Sequence, residues 1–187
     1  MQRTGLVVMG IQEGLFGRHA PWRQTDVDDN EARQVASRID RLLAHADESW
    51  LKSIHVAMEL APQEALKPAE KAIVANSPGV ALLDGFASRH PRVEQLRAVP
   101  GRDAFHGSDL DQVLGEYGIG QIVIAGPTIA GMLDDTCRTA YALGYEVIAP
   151  ADCLLASSEA ERNIYVETVL SAYIQVMDVQ DIIGVAA

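Results

Sequence analysis

The sequence predicts an α/β protein of three layers, with helices on both faces of a mostly parallel, doubly wound sheet of about six strands. Three observations predict it. Short apolar runs alternate with helix-like patterns along the chain. The run QIVIAG, 121–126, shows no polar alternation, as expected of a strand buried on both faces. That run enters a helical pattern through GPTIAGM, 126–132, the kind of strand-to-helix turn at which doubly wound sheets hold ligands. There is no internal repeat, low-complexity tract or linker, so residues 1–187 are expected to form a single domain.

The elements follow in order. GLVVMG, 5–10, reads as a buried strand bounded by glycines. A loop precedes a helix over 30–46, where Val35, Ile39, Leu42 and Leu43 make one apolar stripe and Asp28 or Asp29 can cap the start. WLKSIHVAM, 50–58, is the second strand. Residues 59–91 carry prolines and no clean period, which predicts an irregular connection with a helical turn. RVEQLRAV, 92–99, alternates as a third strand. A compact helix spans 108–118, with Leu110, Val113, Leu114 and Tyr117 on one face, Ser108 as cap and Gly118 as stop. A helix over 129–143 closes at Gly144, YEVIAP at 145–150 is a strand, 158–171 is helical, and 172–177 is the last strand.

Composition narrows the function. A net charge of −11 repels nucleic acid and anionic membrane surfaces. The dense cluster DVDDNE, 26–31, reads as a solvated helix start. The N-terminal apolar run is too short for a signal peptide, and no stretch approaches a membrane span. Cys137 and Cys153 do not make a disulfide framework and are expected in the core. These features imply a cytoplasmic protein. No Gly-x-Gly-x-x-Gly follows the first strand, and His19, His45, His55 and His90 lack metal-ligand spacing, so neither cofactor nor metal is expected.

In a doubly wound sheet, ligands bind beyond the carboxyl ends of the strands. Three segments fall there: Gly10 to Gln12, Val99 to Phe105, and Gly126 to Met132. A residue at Met132 would stand in the first turn of a helix, where a cysteine thiolate is favoured by the helix dipole.

The phrases VVMGIQEGLF, VPGRDAFHGSDLDQVLGEYGIGQIVIAG and GPTIAGMLDDTCRTAYALGYEVIAPAD resemble the isochorismatase-like hydrolases, also called cysteine hydrolases, over most of the chain. The resemblance implies a mechanism in which a cysteine attacks a carbonyl or nitrile carbon, an aspartate takes and returns the thiol proton, and a lysine steadies the thiolate. In one branch, which cleaves the vinyl ether of isochorismate, the aspartate acts as acid and the cysteine is dispensable. Carried onto this chain, the aspartate position falls on Gly10, the lysine position on Val99 and the cysteine position on Met132. The flanking residues of the motifs, including Gln12, Ala104, Phe105, Gly126, Thr128, Thr136, Ala140 and Asp152, are present.

A thioether has no proton to lose, valine carries no charge, and glycine supplies neither acid nor base. Loss of a whole triad removes several orders of magnitude in rate. Removing all three polar groups together leaves no buried charge without a partner. Two readings follow. The first is a catalytically silent homologue that binds a small ligand or serves as a scaffold subunit, assembling with itself or with an active relative. The second is a hydrolase of small amides, ureas or enol ethers that works without a thiol, through Asp103, Arg102 and His106. The expected pocket comprises Gln12, Phe16, Arg102, Asp103, Phe105, His106, Pro127, Thr128 and Met132. The plainer roles are a loop contact between Asp103 and Arg102 and a solvated His106.

Overall fold

The computed structural model describes residues 3–17, 20, 29–49, 52–63, 70–98, 103–127, 131–156 and 158–185. The chain runs through β1 (Arg3–Met9), a helical turn α1 (Glu13–Phe16), α2 (Asp29–Ser49), β2 (Lys52–Met58), a short α3 (Phe86–Arg89) and β3 (Glu94–Ala98). It continues through α4 (Leu110–Glu116), β4 (Ile119–Pro127), α5 (Met132–Ala142), β5 (Glu146–Pro150), a two-residue β6 (Leu154–Leu155), α6 (Glu159–Ile164), β7 (Gln175–Met177) and α7 (Val179–Val185). The strand order is β3-β2-β1-β4-β5-β7, with β6 beside the end of β4. Every named pairing is parallel. This is the expected doubly wound, three-layer α/β/α fold. The chain winds outward from β1 through β2 and β3, then crosses back to build β4, β5 and β7. The topological switch therefore lies between the carboxyl ends of β1 and β4.

Burial explains why these segments became these elements. Leu6, Val7, Val8 and Met9 are all fully buried, so β1 is apolar on both faces, as a central parallel strand must be. The expected stripe of α2, Val35, Ile39, Leu42 and Leu43, is likewise buried against the sheet. The alternation of β3 reports its edge position, with one face more covered than the other. Gly126 permits a close approach at the switch, since a Cβ there would lie 2.5 Å from Met9 Cγ and 2.8 Å from the Met9 carbonyl oxygen.

The structure corrects several expectations. The helix expected over 158–171 is α6 followed by a π-helical turn at Tyr165–Val169 and a 3-10 turn at Leu170–Ala172. Leu170 is the fully buried side chain of its last turn, so little packing enforces regular helix there. The last strand shrinks from 172–177 to 175–177, and α7 follows it where no helix was expected. Val179 and Ile182 bury α7 against α2. Ser108 Oγ accepts from the Leu110 amide at 3.2 Å, but the N-cap residue of α4 is Asp109. Tyr117 leaves the buried face of α4 and lies beneath Lys52, whose Nζ is 4.6 Å from the ring centre. The caps expected at Asp28 or Asp29 lie outside the described side chains.

Candidate functional site

Gly10 ends β1 with φ +67°, the left-handed region that glycine enters without Cβ strain. Its amide donates to the Val56 carbonyl at 3.0 Å, which holds the turn to β2. Gln12, expected to line a pocket, is instead fully buried. Its Oε1 accepts from the Met58 amide at 2.7 Å, and its Nε2 donates to the Met58 and Val80 carbonyls at 3.0 and 3.1 Å. The side chain imitates a strand neighbour and ties the ends of β1 and β2 together. Phe16 is also buried and belongs to the core cluster.

His55 was missed as a site-shaping residue. It is fully buried in β2, and its Nε2 accepts from the amide of Ile11, the residue after Gly10, at 3.1 Å. Its Nδ1 lies 2.8 Å from Gln95 Oε1, so Nδ1 carries the proton and the ring is neutral. Burial disfavours the cation and lowers the pKa to about 4. A histidine inside the apolar run SIHVAM was the available signal. Glu59 was missed too. It follows β2 with its side chain largely buried, its amide donates to Ala98 at 3.2 Å, and its carboxylate meets Arg97 Nη1 at 3.0 Å.

Met132 opens α5 and is 1% exposed, so a thioether is packed at the helix start. Gly131 before it has φ +79°. Thr136, one turn on, donates to the Met132 carbonyl at 2.8 Å and accepts from the Ala104 amide at 3.0 Å. That hydroxyl joins the first turn of α5 to the segment before α4. Asp103 is spent in the same frame. Its Oδ1 accepts from the Phe105 and His106 amides at 2.7 and 2.9 Å, and Thr139 donates to its Oδ2 at 3.3 Å. The side chain therefore caps a turn and bonds Thr139, and the contact expected with Arg102 falls outside the described residues. His106 is exposed, and Phe105 is buried with its ring 6.0 Å from that of Tyr145. Val99, Arg102 and Thr128 lie outside the described residues, as does the side chain of Pro127, whose backbone ends β4.

Cys137 and Cys153 are both fully buried, as expected. Burial pushes both thiols up, and the neighbouring carboxylates Asp134 and Asp152 add to this, so neither supplies a thiolate. Among the described residues no cluster of three His, Cys, Asp or Glu is placed to hold a metal ion. Within the same residues no helix is long and apolar enough to cross a membrane.

These features define a doubly wound α/β protein whose topological switch lies between the carboxyl ends of β1 and β4, beside the start of α5. The isochorismatase domain matches residues 4–181, and the chain belongs to the isochorismatase family. It is 26% identical over 189 residues to the uncharacterized isochorismatase family protein YecD of Escherichia coli O157:H7, covering 97% of this chain and 95% of that protein. Its fold is similar to a cysteine hydrolase from Pseudomonas syringae pv. phaseolicola 1448A, with TM-score 0.82, 18% identity and coverage of 98% and 92% of the two chains. It is also similar to N-carbamoylsarcosine amidase from Thermoplasma acidophilum, with TM-score 0.72, 18% identity and coverage of 95% and 96%.

Proposed function

We propose that this chain is a catalytically silent member of the isochorismatase family whose crevice binds a small apolar ligand or serves a scaffold role. The observation that carries the reading is Met132, a thioether buried at the first position of α5, where the family motif has its nucleophile. Gly10 supports it, because its left-handed backbone is one that an aspartate enters only with strain, about 1 kcal/mol. The remaining polar groups are committed to the frame. Asp103 has both oxygens engaged, which counts against a hydrolase built on Asp103, Arg102 and His106. In this reading the protein assembles with itself or with an active relative, and its two buried free thiols suit the cytoplasm.

The test is turnover by the purified chain on a panel of small amides and ureas, followed by ammonia release, and on isochorismate, followed by pyruvate release. A Gly10→Asp, Val99→Lys, Met132→Cys variant runs beside it. The expected result is no turnover by the natural chain and measurable amide hydrolysis by the variant. Turnover by the natural chain that disappears in Asp103→Ala would overturn the silent reading and establish the non-thiol hydrolase.

A further inference from the structure

A groove of about 590 Å³ opens at the amino ends of β4, β5 and β7, the pole of the sheet opposite Gly10 and Met132. Its volume falls within the range of small-ligand sites, roughly 300–1,000 Å³. Tyr141, Tyr145 and Tyr173 line it, together with Gln121, Glu146 and Gln175, and none of its lining side chains is cationic. Two of the rings are held by carboxylates: Tyr145 donates to Asp111 Oδ1 and Tyr173 to Asp134 Oδ1, each at 2.7 Å. Tyr141 meets Tyr173 edge-on, with ring centres 5.9 Å apart at 77°, and remains 58% exposed.

Charge selects the ligand. The Glu146 carboxylate accepts from the Gln121 amide at 3.2 Å and has no ion-pair partner among the described residues. Asp134 is neutralised by Arg138 at 2.9 Å, so the negative charge of the groove comes from Glu146, from Asp111 behind Tyr145 and from the net charge of −11, which together disfavour anions. The protein itself displays the attraction for cations, since the Arg138 guanidinium lies 4.6 Å from the centre of the Tyr173 ring. We infer that this groove binds an organic cation, an amine or quaternary ammonium with an apolar body, whose charge lies against the exposed Tyr141 ring and is countered by Glu146. The inference goes beyond the silent-homologue reading and is independent of it, because it uses no residue of the crevice.

The experiment titrates the full-length, isotope-labelled protein with benzyltrimethylammonium chloride by NMR, with phenylacetate and benzyl alcohol as anionic and neutral controls. Saturable shifts confined to Gln121 and residues 141–148 and 171–175, from the cation alone, are expected. Tyr141→Ala should weaken binding about threefold to thirtyfold, the range of a cation–π contact. Glu146→Gln should weaken it by up to about fivefold and reduce its sensitivity to salt. Both side chains are exposed, so both variants keep the fold. The Gly10→Asp, Val99→Lys, Met132→Cys variant should bind the cation unchanged, which separates this site from the crevice. Equal binding of phenylacetate or benzyl alcohol, shifts mapping elsewhere, or no saturation would overturn the proposal. Shifts that follow protein concentration rather than probe would mark a self-association face and overturn it as well.

Discussion

At the carboxyl end of the sheet, Gln12, His55, Asp103 and Thr136 all bond back to the protein, mostly to backbone, whereas at the amino end Tyr141, Glu146 and Gln175 face solvent. The carboxyl end holds the polar residues that shape the turns, and in the proposed reading the three family catalytic positions fall on Gly10, Val99 and Met132. The frame and the chemistry are therefore separable. Frame residues persist because each satisfies buried backbone groups whose loss costs free energy in any sequence with this fold. Catalytic groups carry no such obligation, and a buried charge without its partners is a liability.

The comparison can be broken or sharpened by experiment. The largest effect is expected from Gln12→Leu, which strips partners from the Met58 amide and from two carbonyls in a fully buried place. At a desolvation penalty of about 1–3 kcal/mol for each unsatisfied group, the loss should be about 3 kcal/mol or more, read as a lower urea midpoint. A loss below about 1 kcal/mol would mean that the carboxyl end is not held as described.

A smaller effect should follow pH. The folded pKa of His55 is lowered from 6.5 to about 4, so the unfolded chain binds the extra proton first as pH falls. Stability should therefore drop between pH 6.5 and 4. The His55 share between pH 7 and pH 5 is about 2 kcal/mol. His55→Gln should flatten the dependence by that amount, and an unchanged slope would place the acid sensitivity elsewhere. The smallest effect on stability is expected at the amino end. Glu146→Gln touches an exposed carboxylate and should change the stability read from urea unfolding by less than about 0.5 kcal/mol. A large loss there would make Glu146 a frame residue like Gln12 and remove the contrast between the two ends.

Most of the fold was legible because burial writes itself into periodicity. The unbroken apolar runs of β1 and β4, the stripe of α2 and the glycine after α5 all mark elements found where the sequence placed them. The segment 158–185 was less legible. The mixture of exposed and half-covered residues around the buried Leu170, from Tyr165 to Met177, carries a weak pattern, and the π turn and α7 depend on contacts with distant elements. In the site, the proposed placing of the family positions on Gly10 and Met132 rests on motif spacing alone. It did not reveal His55 or Glu59, which look like ordinary interruptions of a strand until the partners Ile11, Gln95 and Arg97 are in place.

The sequence by itself determined the strand–helix alternation, the family and the absence of a thiol at position 132, because these are properties of residue type and local spacing. The tertiary structure alone decided the left-handed turn at Gly10, the service of Gln12 and Asp103 to the backbone, and the tyrosine groove at the far end of β5. Each of these joins residues distant in sequence or depends on which hydrogen-bond partner is within reach once the solvent has been excluded.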